Sequence, residues 1–83
     1  MTLEDTIQLM TSGDYKERFK AEYYQLKIRC EKLSAMLKQY REGNLNFEPD
    51  CPYELLVIQL AHMQSYFDVL TNRAKIEKVD LEE

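Results

Sequence analysis

The residues that could carry out catalysis are few in this chain of 83 residues. It contains one histidine, His62, and two cysteines, Cys30 and Cys51, that lie far apart in the sequence. It has no glycine-rich phosphate loop, no HExxH pattern and no CxxC pattern. Catalysis requires a positioned nucleophile, base or metal. We therefore expect a binding protein and not an enzyme, and we expect no cofactor and no metal.

Cationic and aromatic side chains at helical spacing give a stronger chemical signal. Lys16, Lys20, Tyr24 and Lys27 follow one another at steps of four, four and three residues, which places them on one face of a helix. Lysines can neutralise phosphates while a tyrosine ring stacks on a base, so this stripe predicts a site for a nucleotide or a similar anion. The alternative is a solvated face that offsets acidic residues elsewhere in the protein.

Three further residues complete the predicted ligand site, and we expect them to face a neighbouring subunit. They are Arg29, His62 and Arg73. For His62 the alternative is a histidine that is merely packed or exposed, whereas the functional interpretation makes it a hydrogen-bond donor in a pocket between subunits.

Charge is distributed unevenly along the chain, whose formal net charge is −4. Residues 15–41 carry eight Lys and Arg against three acids, a net +5, whereas residues 1–14 carry −3 and residues 42–83 carry −6. One basic helix thus stands in an acidic protein. A protein that binds duplex DNA needs basicity over a wider surface, so we do not expect DNA as a partner.

The basic stripe lies on a predicted helix that spans about residues 15–41. Asp14 is a good N-cap with Glu17 at the third helical position, and Gly43 supplies a left-handed stop. Apolar residues recur at alternating steps of three and four, which is the spacing of a helix packed against a partner helix. They are Phe19, Tyr23, Leu26, Cys30, Leu33, Leu37 and Tyr40.

A second helix is predicted over about residues 52–78, with Asp50 or Cys51 as its cap and Pro52 in its first turn. Its seam has the same length and spacing: Tyr53, Leu56, Leu60, Met63, Phe67, Leu70 and Ala74. Two matched seams joined by a loop of ten residues predict an all-α fold, an antiparallel helical hairpin. Residues 1–13 form a short N-terminal helix or a frayed arm, and residues 14–83 form the αα-hairpin domain.

A second apolar row on the second helix has no place in a simple hairpin. We expect it to pack against either the N-terminal segment or another copy of the protein, because a helix with a wide apolar surface is normally covered on two sides. A chain this short also gains stability from oligomerisation. The predicted oligomer interface consists of Leu55, Ile58, Tyr66 and Val69.

The remaining segments give simpler expectations. Leu45 and Phe47 should fold back to close the open end of the hairpin, with partner binding as the alternative, and residues 79–83 should fray. Cys30 and Cys51 should lie too far apart to form a disulfide. No apolar run is long enough to span a bilayer and the N-terminus is acidic, so we expect a soluble protein in a reducing cytoplasm and no membrane partner.

Two helical motifs resemble those of a family of small phage and prophage proteins of gut bacteria, first labelled by similarity to a crAss-like phage protein. The first is the pattern EY..L..R..KL, and the second is QL..M..Y...L..R. They fall on Glu22, Tyr23, Leu26, Arg29, Lys32 and Leu33, and on Gln59, Leu60, Met63, Tyr66, Leu70 and Arg73. The resemblance covers about residues 14–81 and implies the cytoplasm of an infected bacterial host.

The hairpin is also similar, in shape and helix pattern, to phage counter-defence sponges. Those proteins sequester the cyclic oligonucleotide messengers of bacterial immunity such as those of CBASS and Thoeris. This likeness implies a homo-oligomer that holds a cyclic oligonucleotide in a pocket between subunits, without catalysis. The alternative function is an acidic helical inhibitor that binds and blocks a host defence protein, for example a CRISPR effector.

Overall fold

A computed structural model describes residues 1–81, which form two long helices and a short helical segment before them. A turn of 3₁₀ helix, Glu4–Thr6, leads into helix α1, Ile7–Met10. The long helices are α2, Tyr15–Arg41, and α3, Tyr53–Glu77. Tyr15 at the start of α2 contacts Glu77 at the end of α3, so the two helices are antiparallel. The predicted all-α hairpin with a short N-terminal helix is confirmed.

Local signals set both ends of α2. Asp14 adopts an extended conformation and its carboxylate accepts a hydrogen bond from the backbone N–H of Lys16. The backbone N–H of Asp14 donates to the Ser12 hydroxyl. The capping-box spacing of Asp14 and Glu17 had suggested the Glu17 carboxylate as its acceptor. At the other end Gly43 has φ +74°, and the N–H groups of Gly43 and Asn44 donate to carbonyls of the last turn. These two bonds form a Schellman motif, which ends the helix.

The ends of α3 differ from the prediction in two details. Pro52 itself is the N-cap and no side chain caps the helix, so the assignment of that role to Asp50 or Cys51 was wrong. Pro52 has no N–H to satisfy, and its carbonyl accepts the first bonds of the helix. At the C-terminal end Lys78 adopts the left-handed conformation with φ +57°. The Val79 N–H then donates to the Ala74 carbonyl, which turns the chain back onto the hairpin.

The core lies along the two predicted seams and is thickest where the chain ends meet. Its main cluster contains Phe19, Tyr23, Tyr24, Leu26, Leu70, Ala74 and Val79. Across the seam, the rings of Tyr23 and Phe67 lie 4.8 Å apart between centroids, and Tyr40 stacks on Tyr53 at the same distance near the loop. Leu37 is 1% exposed but lies outside this cluster. Cys30 and Cys51 are both free thiols, as expected.

The N-terminal segment packs on α2 and makes no contact with α3. Thr6, which is fully buried, donates from its hydroxyl to the Leu3 carbonyl and accepts a hydrogen bond from the Gln25 side-chain amide. Ala21 is also buried on α2, where its small side chain permits a close approach. The apolar row on α3 is therefore not covered by this segment, and that alternative was wrong.

The loop and the C-terminal tail behave differently from the prediction. Phe47 is 55% exposed, so it does not close the end of the hairpin, although Leu45 is half-buried. The Tyr40–Tyr53 stack occupies that position instead. Val79 is buried and Leu81 packs against the core, so the expectation that the tail frays was wrong up to residue 81. The expectation for residues 82–83 lies outside the described residues.

Candidate functional site

The three lysines of the predicted stripe lie side by side on α2. Lys16, Lys20 and Lys27 fall within about 40° of one another around the helix axis, given 100° per residue, and all three are half-buried. The Lys16 ammonium lies 3.4 Å from the Lys78 carbonyl at the C-terminal end of α3. We call these three residues the lysine face.

Tyr24, the fourth member of the stripe, belongs to the core. Its side chain is 7% exposed and its ring meets Tyr23 edge to face, with centroids 5.3 Å apart. A ring that stacks on a base should be partly exposed in a single chain, and for Tyr24 that expectation is wrong. The core at this end is thus wider than one heptad seam, and Val79 belongs to the same cluster. Stacking of a base on Tyr24 stays a prediction, and in the free protein this ring is already covered.

The other three predicted ligand residues lie away from the lysine face. Arg29 projects from roughly the opposite side of α2, since it follows Lys20 by nine residues, or about 180°. His62 and Arg73 are exposed and lie on one face of α3, within about 20° of each other. The predicted residues therefore occupy more than one surface of a single chain.

His62 and Arg73 are set within an exposed apolar stripe. Its four apolar members are the residues predicted to form the oligomer interface, and their exposed fractions are Leu55 55%, Ile58 53%, Tyr66 44% and Val69 54%. In the whole of α3 only Leu70 and Ala74 are buried. We call Leu55, Ile58, His62, Tyr66, Val69 and Arg73 the α3 stripe. The N-terminal segment makes no contact with α3, and the apolar members of the stripe are all exposed.

Arg73 also takes part in a cluster that sequence reasoning missed. Its guanidinium lies 4.9 Å from the centre of the Phe19 ring. Its Nε and Nη2 donate to the two oxygens of Glu77 at 2.6 and 3.2 Å, and the Tyr15 hydroxyl donates to Glu77 Oε1. We call Tyr15, Phe19, Arg73 and Glu77 the Glu77 cluster. The spacing of four residues between Arg73 and Glu77 was the signal available in the sequence.

These contacts shift the pKa values of the groups involved. The hydrogen bonds from Arg73, and then from Tyr15, lower the pKa of Glu77, and the positive charge of Lys16 acts in the same direction. The hydrogen bonds to Glu77 raise the pKa of Tyr15 and that of Arg73. Glu77 is therefore held as a carboxylate, and Lys16 of the lysine face lies close enough to lower the pKa of Glu77.

A cleft runs between α2 and α3 on the side of Lys27. It has a volume of about 440 Å³ and is lined by Lys27, Cys30, Glu31, Gln64, Phe67 and Asp68. Burial raises the pKa of the Cys30 thiol, which therefore stays protonated at neutral pH. Lys27 thus lines the same cleft as Phe67, which takes part in the seam and was not among the predicted ligand residues.

Within residues 1–81 no three His, Cys, Asp or Glu side chains come together in a way that would hold a metal ion. No helix in the same range is long and apolar enough to cross a membrane. The model of one protein family, Sequestin, matches residues 13–76. That stretch contains α2, the loop and nearly all of α3. No curated protein and no solved structure matches the chain.

Proposed function

Because the chain belongs to the Sequestin family, we propose that it sequesters a cyclic oligonucleotide messenger of bacterial immunity in a pocket between subunits, without catalysis. The family name indicates a binding or sequestering role. The observation that carries the proposal is the uncovered α3 stripe, in which His62 and Arg73 stand among apolar residues. An apolar interface that also presents a guanidinium and an imidazole suits a ligand that combines flat bases with phosphates.

The spacing of the α3 stripe favours a second copy of the chain as its cover. His62 is the centre: Ile58 and Tyr66 lie four residues to either side of it, and Leu55 and Val69 lie seven. The spacing of these residues is therefore symmetric about His62. When two antiparallel copies of α3 are related by a two-fold axis at His62, the apolar residues of one copy face apolar residues of the other. Leu55 then meets the partner subunit's Val69, and Ile58 meets the partner subunit's Tyr66. Self-complementarity of this kind is what a two-fold interface requires.

A single substitution tests this interface. Val69→Asp places a charge within an apolar contact and should dissociate the oligomer while leaving the helicity of the chain unchanged. Val57→Asp is the matched control, because Val57 is also exposed on α3 but lies about 120° away from Val69 around the helix. Light scattering coupled to size-exclusion chromatography measures the mass of each variant. A monomeric parent protein at all concentrations above micromolar would contradict the proposal.

Two of the cations that would hold the ligand lie at the end of the hairpin where α2 begins. Arg73 and Lys16 both act on the Glu77 carboxylate there, so the lysine face and the α3 stripe meet at this end. Arg73 lies four residues beyond Val69, at the edge of the proposed interface. A phosphate of the ligand at this edge would contact cations of one subunit, while a base of the same ligand lies against the other subunit.

A thermal-shift screen against cyclic di- and trinucleotides tests the ligand class. A ligand present at 100 times its dissociation constant adds about 2.7 kcal/mol to the folded state. In a domain of this size each kcal/mol raises the melting temperature by about 4–8 °C, so a true ligand should raise it by about 10–20 °C. Linear dinucleotides with the same bases are the controls. No shift with any cyclic nucleotide would refute the proposed ligand.

Calorimetry on a lysine variant then tests the site. Lys20→Ala should weaken binding about ten-fold, because a charge-assisted hydrogen bond contributes about 1.5–3 kcal/mol. Lys38→Ala is the control, since Lys38 is an exposed lysine in the last turn of the same helix. Tyr24→Phe is preferable to Tyr24→Ala, because Tyr24 is part of the core. Equal affinities for the two lysine variants would place the site elsewhere.

One observation favours the second candidate function, an acidic inhibitor that blocks a host defence protein. Phe47 is exposed in a loop that also carries Glu42, Glu48 and Asp50. An exposed aromatic ring with acidic neighbours suits the role of an anchor in a basic protein surface. If the nucleotide screen is silent and a purified defence protein binds the chain but not its Phe47→Ser variant, this function replaces the first.

A further inference from the structure

The Glu77 cluster has the geometry of an occupied anion site. Two N–H groups of one guanidinium and the hydroxyl of Tyr15 all donate to one carboxylate. Lys16, one residue after Tyr15, adds a positive charge nearby. Tyr15 is also the first residue of α2, where the helix macrodipole places partial positive charge. The groups that donate to the carboxylate, together with Lys16, therefore favour negative charge at this point.

Both partners of the ion pair can be reached from solvent, and Arg73 has a second contact within the fold. The guanidinium of Arg73 packs against the Phe19 ring, which is buried in the core. The backbone of Tyr15 is fixed in the first turn of α2. The side chains of Arg73 and Glu77 are 45% and 25% exposed, so a ligand can reach the pair and the Glu77 carboxylate can rotate away into solvent. Glu77 also stands in the last turn of α3, where the macrodipole disfavours a negative charge.

We propose that Tyr15 and Arg73 form an oxyanion subsite that Glu77 fills in the free protein, and that a ligand phosphate binds there by replacing the Glu77 carboxylate. A phosphodiester suits this exchange, because it carries one negative charge and two free oxygens, as a carboxylate does. The guanidinium fork binds either group through two parallel hydrogen bonds. The proposal rests on the proposed function for the identity of the ligand, while the subsite itself is a property of this chain.

Glu77 thereby becomes a residue that sets specificity. A single weak anion gains no advantage over a carboxylate that is already attached to the chain at high effective concentration. A ligand must bring further contacts, such as a second phosphate or a base, before it displaces Glu77. Removal of the carboxylate should make the subsite accessible to simple phosphate.

Titration with inorganic phosphate at constant ionic strength tests this inference. Phosphate binding is followed by NMR through the Nε–H signal of Arg73. Glu77→Ala should bind phosphate at least ten-fold more tightly than the parent protein, and the Arg73 signal should move. Glu54→Ala is the matched control, because it removes the same charge from an exposed position in the first turn of the same helix. Equal affinities of the two variants for phosphate would overturn the proposal.

Two additional variants separate the charge of Glu77 from its bulk and locate the bound phosphate. Glu77→Gln keeps the length of the side chain and loses its charge, so it should show a smaller gain and serves if the alanine variant is poorly folded. The double variant Glu77→Ala with Arg73→Gln should lose the gain entirely. A gain that survives in the double variant would show that phosphate binds elsewhere, and the proposal would be wrong.

The phosphate titration contains no nucleotide, so its result is separate from that of the nucleotide screen. If Glu77→Ala gains phosphate affinity and no cyclic nucleotide binds, the subsite stands and the proposed ligand is wrong. If cyclic nucleotides bind but Glu77→Ala gains nothing, the proposed function stands and the subsite is wrong.

Discussion

Leu70 offers the sharpest test of how the hairpin is held together. Its side chain is 1% exposed and belongs to the main core cluster, so truncation to alanine leaves a cavity with little room to collapse. Buried Leu→Ala changes cost about 2.7–5.0 kcal/mol. A domain of 83 residues has a total stability of roughly 4–12 kcal/mol, so this one change should remove about a fifth of it or more.

Urea denaturation at a fixed protein concentration measures the effect. With a slope of about 1.5 kcal/mol/M, a loss of about 3 kcal/mol lowers the midpoint by about 2 M. Leu60→Ala is the comparison, because Leu60 lies in the same seam but is only half-buried, and should cost about 2 kcal/mol. A loss below about 1 kcal/mol for Leu70→Ala, or a larger loss for Leu60→Ala, would refute the assignment of the core.

Three further outcomes are expected. The hydrogen bond from Arg73 lowers the pKa of Glu77, so the contribution of the Glu77 carboxylate to stability is present above the ordinary pKa of 4.5 and is lost as the pH falls through the lowered pKa. Denaturation curves of the parent protein and of Glu77→Gln should therefore differ at pH 7 and converge in acid, and a constant difference down to about pH 3 would contradict this. Lys78→Gly should stabilise the protein by about 0.5–1 kcal/mol, because glycine adopts the left-handed conformation without strain, whereas Lys75→Gly within the helix should destabilise it by a similar amount; thermal melts that show the same sign for both would refute the reasoning. Thr6→Val removes a buried hydroxyl that makes two hydrogen bonds and should cost about 1–3 kcal/mol in urea denaturation, and an unchanged midpoint would show that those bonds do not hold the N-terminal segment.

The long helices could be predicted because their signals are local and periodic. The Asp14 cap and the Gly43 stop depend only on neighbouring residues, and both act as expected. The apolar residues of each seam recur often enough to identify the face of the helix that packs against the other helix. The contact between Tyr23 and Phe67 illustrates this. The exposure of the α3 stripe also followed from the pattern, since one partner helix covers only one face.

The placement of the chain ends could not be predicted in the same way. The N-terminal segment packs on α2 through a hydrogen bond between a buried threonine and a glutamine amide. Neither of these residues stands out in a pattern of apolar and polar residues. Likewise the turn at Lys78 brings Val79 into the core through a left-handed residue that is not glycine. The candidate site was hidden for a different reason: the predicted antiparallel pairing brings the start of α2 to the end of α3, but the contacts of Tyr15 with Glu77 and of Phe19 with Arg73 depend on the register and rotation of the two helices.

The core is concentrated at the end of the hairpin where the chain ends lie, and this affects where local unfolding begins. Phe19, Leu26, Leu70 and Val79 all belong to the cluster near the chain ends, whereas the loop end relies on Leu37 and a partly exposed stack of two tyrosines. Opening of the hairpin should therefore start at the loop and proceed as a partial unfolding that leaves the other end closed. Amide protons near the loop should exchange with solvent orders of magnitude faster than those around Leu70. The protein can thus part its helices over the distal half while the Glu77 cluster stays assembled.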